Sequence, residues 1–249
     1  MSDYKHHARQ IGDSLKLSVP PVAVAFCDEV PPNIPAFDGL VAAGCEFWEK
    51  ASSSVFTTSA HDHQLCSIGV HTHNLVGAPA AQQEELATTL KAMADLDYIR
   101  ADEVATIPVK QKPNRFVVYG PLVDFPLQTD VVILFAHGQQ GLILSEAIER
   151  VDKTTPLAIG RPACAMVPQV MNQNQAAMSL GCCGARAYID ALNDSTVRWA
   201  LPGNKLPEYC EQITALANAN NALNEFHLRR KADVAAGQTP TVKESLQRM

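Results

Sequence analysis

The sequence lacks the excess of basic residues that nucleic-acid binders carry. Its 249 residues include 20 Lys and Arg against 26 Asp and Glu, which gives a formal net charge of −6. Phosphate recognition needs clustered positive charge, and the densest basic run is the short stretch at residues 229–231. The composition therefore predicts a protein with no nucleic-acid partner.

Long hydrophobic runs are also missing. The longest apolar stretches, residues 19–27 and 131–136, fall well short of the roughly 18 to 20 residues that a membrane-spanning helix needs. Residues 1–10 are polar and lack the apolar centre of a secretory signal. We therefore expect a cytoplasmic protein with no membrane partner.

Seven cysteines are present, and no two of them have CxxC spacing. They cannot form a conventional disulfide framework, because their number is odd and the expected compartment is reducing. Metal ligation, catalysis or core packing must account for them.

Helical and strand periodicities alternate along the chain. They predict helices at residues 4–17, 44–50, 82–95, 142–151, 185–192 and 206–227, and strands at residues 21–26, 116–119, 131–136, 156–159, 176–181 and 196–201. Residues 137–141 (HGQQG) are interpreted as a structural turn. This order indicates an α/β or α+β fold, a mixed sheet flanked by helices in one compact globular unit. We expect a single metal-binding domain at residues 1–232 and a flexible C-terminal tail at residues 233–249.

Four cysteines are candidate ligands because they come with a glycine or a proline, the residues typical of turns. They are Cys45, Cys66, Cys164 and Cys182. Thiolates placed by turns hold soft metals and iron–sulfur clusters. Their spacing is not diagnostic, and buried inert cysteines are the alternative from spacing alone.

The other three cysteines receive a different interpretation. Cys27 ends an apolar strand and Cys210 lies in a predicted helix, so core packing is expected for both. Cys183 adjoins Cys182, and adjacent side chains of an extended chain point to opposite sides. We therefore expect Cys183 to be a spectator.

Histidines surround Cys66 in a polar segment, residues 52–74, that is predicted to be a loop or a pair of short strands. If extended, residues 61–63 (HDH) and 71–73 (HTH) would each place two imidazoles on one strand face, an arrangement that can bind zinc or copper. Hydrogen bonding to a cluster or substrate, and a surface role, are the alternatives. We expect His63 and His73 to face the thiols as polar or proton-transferring groups.

Three charged residues flank the candidate ligands. Arg186 lies near the start of a predicted helix, where free N–H groups favour an anion. It is predicted to bind a carboxylate or phosphate, or to balance the charge of a cluster. Glu46 and Asp62 are acid–base candidates because they stand beside the cysteines. A structural role is the alternative for each.

Several motifs follow one another in order along the chain. They are PPVAV at residues 20–24, GCEFW at 44–48, DHQLCSIG at 62–69, THN at 72–74, GPL at 120–122, RPACA at 161–165 and GCCGAR at 181–186. In this set the chain resembles the family catalogued as domain of unknown function 169, over about residues 20–206. The resemblance implies a metal or redox role, with Cys182 as the recurrent cysteine of the adjacent pair. It implies no particular reaction.

Together these observations predict an iron–sulfur protein, with a 4Fe-4S cluster favoured and Cys45, Cys66, Cys164 and Cys182 as its ligands. One possibility is an enzyme, such as a lyase, a hydratase or a desulfurising enzyme, that uses an open iron as a Lewis acid on a small-molecule substrate. The other is an electron carrier or redox sensor with a redox partner. A zinc-binding Cys/His protein is the alternative. A Cys66 nucleophile with His63 is a weaker hypothesis, and a homodimer is the default assembly.

Overall fold

An apolar strand, β1 (Val22–Cys27), lies in the interior of the sheet. In the computed structural model, which describes residues 3–248, β1 pairs antiparallel with β3 (Phe116–Pro121) and with β4 (Val131–His137). The outer strands are β2 (Phe56–Ser59), β5 (Leu157–Ala158), β6 (Ala177–Ser179) and β7 (Thr196–Pro202). The order of the seven strands is β2-β3-β1-β4-β7-β6-β5. Because β5 and β6 are parallel while the other neighbours are antiparallel, the sheet is mixed, as predicted.

The strands place alternate side chains in two separate cores. Val22 and Val24 belong to one core, and Ala23 and Ala25 to the other, because successive residues of a strand point to opposite faces. Four short helices cover the first face, which we call the site face: α2 (Glu46–Lys50), α3 (Ser67–Thr72), α7 (Met166–Gln173) and α8 (Cys183–Tyr188). Three longer helices cover the opposite face: α1 (Tyr4–Leu15), α6 (Gly138–Asp152) and α9 (Leu206–Ala235).

The predicted architecture of a mixed sheet flanked by helices in one unit is confirmed. The amphipathic helix predicted at residues 82–95 is α4 (Ala80–Asp95), and a short helix, α5 (Ala101–Val104), follows it. None of the helices in residues 3–248 is long and apolar enough to cross a membrane.

Local structure differs from the prediction in several places, three of which involve α6, α7 and the C-terminal segment. Residues 138–141, interpreted as a turn, form the first turn of α6, since the Gln140 side chain caps this helix by accepting from the His137 N–H. Helix α7 was not predicted. The segment expected to be a tail begins inside α9 and includes α10 (Val242–Leu246), which is joined to α9 by the ion pair between Arg248 and Asp233 at 2.7 Å.

Candidate metal centre

The structure brings the four candidate cysteines to one cavity on the site face, with a volume of about 350 Å³. Cys45 and Cys164 are buried, and Cys66 and Cys182 are half-buried. They come from segments that are far apart in sequence, so the fold and not a local motif assembles them. All seven cysteines of the chain are free thiols.

Each of these cysteines lies at the start of a helix. Cys45, Cys66 and Cys182 are the N-cap residues of α2, α3 and α8. Cys164 lies in the 3-10 turn Ala163–Ala165, which leads directly into α7. Backbone N–H groups of a first helical turn have no partner within the helix, so this placement puts donors close to the sulfurs.

Two glycines allow the chain to pass tightly around Cys66. A Cβ atom at Gly44 would lie 2.6 Å from His63 Nδ1, and one at Gly69 would lie 3.0 Å from Cys66 Sγ. Any larger residue at either position would therefore displace the sulfur or the imidazole.

Burial keeps the thiols protonated in the absence of a ligand. It raises the pKa of Cys45 to about 12 and also raises the pKa values of Cys66 and Cys164. Three donors oppose this shift: the backbone N–H groups of Gly44 and Gly69 favour the Cys66 thiolate, and Thr72 Oγ1 donates to Cys164 Sγ at 3.4 Å. These donors would support thiolates once a cation had replaced the protons.

Arg198 is the main feature of the site that was not predicted. This residue of β7 is 0% exposed, and its pKa is lowered by burial and raised by the nearby Cys45, Cys182 and Cys164. Its guanidinium lies 5.1 Å from the centre of the Trp48 ring, and Nη2 donates to Ser179 Oγ at 3.2 Å. Nε and Nη1 have no hydrogen-bond partner within residues 3–248. Arg198 could have been recognised from the sequence, because it is a charged residue inside an otherwise apolar strand.

The two predicted site histidines lie in the core of the site face and not in the cavity wall. His63 and His73 are each 1% exposed, and the described residues that line the cavity do not include them. His63 Nε2 lies 3.4 Å from Thr58 Oγ1, while Nδ1 adjoins Gly44 and Gly69 and has no partner within residues 3–248. Burial lowers the pKa of His63 to about 4 and that of His73 to about 3, so both are neutral at pH 7.

The segment that contains the two histidine pairs is not extended. Asp62 accepts hydrogen bonds from the backbone N–H and hydroxyl of Ser59 at 2.7 and 2.8 Å, which folds residues 60–65 into turns. His71 lies in α3 and lines the cavity, whereas His61 is exposed. Neither pair shares a strand face, because no strand forms there.

The charged residues expected to do chemistry make structural contacts. Glu46 Oε1 accepts from the Ala43 N–H at 2.8 Å and so caps the turn that carries Cys45. Arg186 donates to the backbone carbonyls of Leu180, Asn193 and Thr196. Its guanidinium therefore fixes the loop around α8 instead of being free for an anion.

The remaining cysteines fall into two groups. Cys27 and Cys210 belong to the core on the opposite face, away from the cavity. Cys183 lines the cavity together with Cys182, which corrects the expectation that the pair would point to opposite sides. The reason is that Cys183 begins helix α8 and does not continue an extended chain.

The donors at the cavity suit a cluster better than a single metal ion. Among residues 3–248, no three His, Cys, Asp or Glu side chains are arranged so that they could hold a single metal ion. The donor chemistry fits an iron–sulfur cluster, since four thiols line one cavity beside a buried cation that lacks two partners. Each thiolate of a four-iron cluster binds a different iron, so its sulfurs stand further apart than ligands of one ion.

Comparison with known proteins confirms the family resemblance. The family model for domain of unknown function 169, described as uncharacterised ArCR, matches residues 10–212, which is most of the chain. No significant match was found among curated proteins or among solved structures. The matched region includes all four candidate cysteines and Arg198. The chain therefore belongs to the family of domain of unknown function 169.

Proposed function

We propose that this protein binds an iron–sulfur cluster of the 4Fe-4S type through Cys45, Cys66, Cys164 and Cys182. The support is that four segments distant in sequence each direct one free thiol to the same cavity. A reducing cytoplasm, which we propose as its location, would keep these thiols available.

The single observation that carries the proposal is the buried and incompletely paired guanidinium of Arg198. A buried charge is expensive unless it is paired. The Nε and Nη1 atoms of Arg198 have no hydrogen-bond partner within residues 3–248, although three thiols are close enough to raise its pKa. Protonated thiols are neutral and cannot compensate the guanidinium. A cluster held by four thiolates has a net negative charge, so it would supply the anion that the buried arginine lacks.

The arrangement of the donors favours a cluster over zinc. A structural zinc ion needs four ligands around one point, and within the described residues no such group is formed. His63 and His73 lie outside the cavity wall, and His71, which lines it, belongs to no group of described residues that could hold one metal ion. A zinc site would require these groups to move.

A bound cluster supplies either electron transfer or, if one iron stays open, a Lewis acid for a small molecule. The chain's own contributions follow from its contacts. Thr72 donates to the Cys164 sulfur, and the free Nδ1 of His63 is placed beside Gly44 and Gly69 close to Cys66. Both would orient the ligands and stabilise their charge. Arg198 takes the charge-balancing role that was expected of Arg186.

The test is anaerobic reconstitution of single cysteine variants, with bound iron as the readout. Replacement of Cys45, Cys66, Cys164 or Cys182 by serine should reduce bound iron severalfold, because an iron loses its thiolate. The matched controls are Cys27→Ser and Cys210→Ser, whose thiols lie in the opposite core. Equal iron in all six variants would refute the assignment of ligands.

A further inference from the structure

The cavity that the thiols line also has an extensive apolar wall, which extends beyond the four candidate ligands. Side chains of α3, α4 and the following loop enclose it, including Ile68, Leu86, Leu90, Met93 and Ile107. Leu86, Leu90 and Met93 lie on one stripe of α4, which a helix presents at spacings of three and four residues. The stripe is only partly buried, so this helix directs its apolar face at an open space and not at a packed core.

Charge in the cavity wall has one sign. Among the described residues that line it there is no Asp, Glu or Lys, and Arg161 is the one side chain with a full charge at neutral pH. This is unusual in a chain whose net charge is −6. Pockets of this kind, apolar with a few polar groups, are typical of small-molecule sites.

Arg161 is held in place but weakly paired. Its guanidinium stacks on the Tyr98 ring at 4.6 Å, which fixes the direction of its planar donors. The nearest carboxylate is Glu103, with Nη2 and Oε2 3.8 Å apart and both side chains 40% exposed. An exposed pair at that distance contributes little, so the guanidinium is available to a ligand.

We propose that this cavity binds a small monocarboxylic acid with a hydrocarbon body. The carboxylate pairs with Arg161, and the apolar body lies against α4 and faces the thiols. This inference rests on the proposed function, because the same cavity wall contains the cluster ligands. It assigns the substrate class to aliphatic carboxylic acids and makes Arg161 the residue that selects for charge.

The experiment measures binding of hexanoate, hexan-1-ol and hexylammonium by titration calorimetry to protein with and without reconstituted cluster. Hexanoate should bind best, and Arg161→Gln should weaken it about tenfold or more, the loss expected for a charge-assisted hydrogen bond. Arg115→Gln is the matched control, since Arg115 is exposed and outside the cavity. Equal affinity of hexanoate and hexylammonium, or unchanged hexanoate binding in Arg161→Gln, would overturn the proposal.

A second pair of variants tests the apolar wall independently. Leu90→Trp should fill the space and weaken hexanoate binding about tenfold, whereas Leu96→Trp, at an 80% exposed position just after the same helix, should not. Full hexanoate affinity in Leu90→Trp contradicts the proposal. Iron is measured in the reconstituted samples. Hexanoate binding by reconstituted protein that holds no iron refutes only the cluster, and bound iron without hexanoate binding refutes only the carboxylate site.

Discussion

Arg198 brings a permanent charge to a position that no solvent reaches. The neighbouring residues of β7, Val197 and Trp199, are apolar, and alternation places Arg198 on the same face as Ala200, which belongs to the site core. Without an anion, the guanidinium has the Trp48 ring and one hydroxyl as its favourable contacts. The unligated protein therefore carries a destabilising charge that a ligand of the opposite sign would relieve.

This arrangement predicts opposite effects of Arg198→Met in the two forms of the protein. In the unloaded protein the variant should increase the free energy of unfolding by about 1–3 kcal/mol, because an unpaired buried charge is replaced by an apolar side chain. In the reconstituted protein it should reduce bound iron and lower the reduction potential, since removal of a nearby positive charge disfavours the reduced cluster. Denaturant titration and voltammetry measure the two effects.

Arg186→Met provides the contrast. Arg186 bonds three backbone carbonyls around α8, so its loss should destabilise both forms. If Arg198→Met also destabilised the unloaded protein, the buried arginine would be satisfied without an anion and the charge argument would fail.

His73 makes stability dependent on pH. Burial lowers its pKa in the folded protein to about 3, below the value of 6.5 expected in an unfolded chain. Between these values the unfolded state binds the proton and the folded state does not, so stability is present above pH 6.5 and is lost as pH falls. From pH 6.5 to 4 the loss from this residue is about 3 kcal/mol.

Unloaded His73→Phe protein should therefore lose less stability than the parent on acidification, as measured by urea titration at several pH values. Phenylalanine keeps the edge contact with Phe26, whose ring centre is 5.6 Å from that of His73. His61→Gln, at an exposed position, is the control and should follow the parent. An identical pH dependence in His73→Phe and parent would show that His73 is not neutralised by burial.

At the residue scale the sequence revealed the thiols better than their surroundings. The cysteines could be chosen from turn residues and family motifs, and the structure brings all four together. Arg198 was overlooked although a lone charge in an apolar strand marks such a position. His63 and His73 were expected to face the thiols because Cys66 lies between them in the sequence. Both are buried behind the cavity wall, and hydrogen bonds from Ser59 to Asp62 form a turn before His63.

At the scale of elements, periodicity was sufficient where an element is long and strongly patterned. The strand β4 and the helix α9 were both predicted, although α9 continues to Ala235, beyond the predicted end at residue 227. Short elements such as α3 and α7 were missed, because their form depends on tertiary contacts more than on local pattern. Helix α4 was predicted, but the surroundings of its apolar side were not, since the sequence cannot show that this side faces the thiol cavity.

At the scale of the whole molecule, the two faces of the sheet differ in composition. The opposite face is packed by three longer helices into an apolar core that includes Cys27 and Cys210. The site face holds short helices, each begun at or next to a candidate cysteine, with buried His63, His73 and Arg198 beneath them. The core of the opposite face is apolar, whereas the core of the site face contains polar groups that a bound anionic centre would complete.

The central claim is that these four thiols hold an iron–sulfur cluster, and the most direct test is the metal content of the native protein. The full chain, purified without exposure to air and without reconstitution, should contain about four iron and four acid-labile sulfide per chain. Its Mössbauer spectrum should show iron in tetrahedral sulfur coordination. Protein that contains one zinc per chain, or no metal, and lacks labile sulfide would contradict the account.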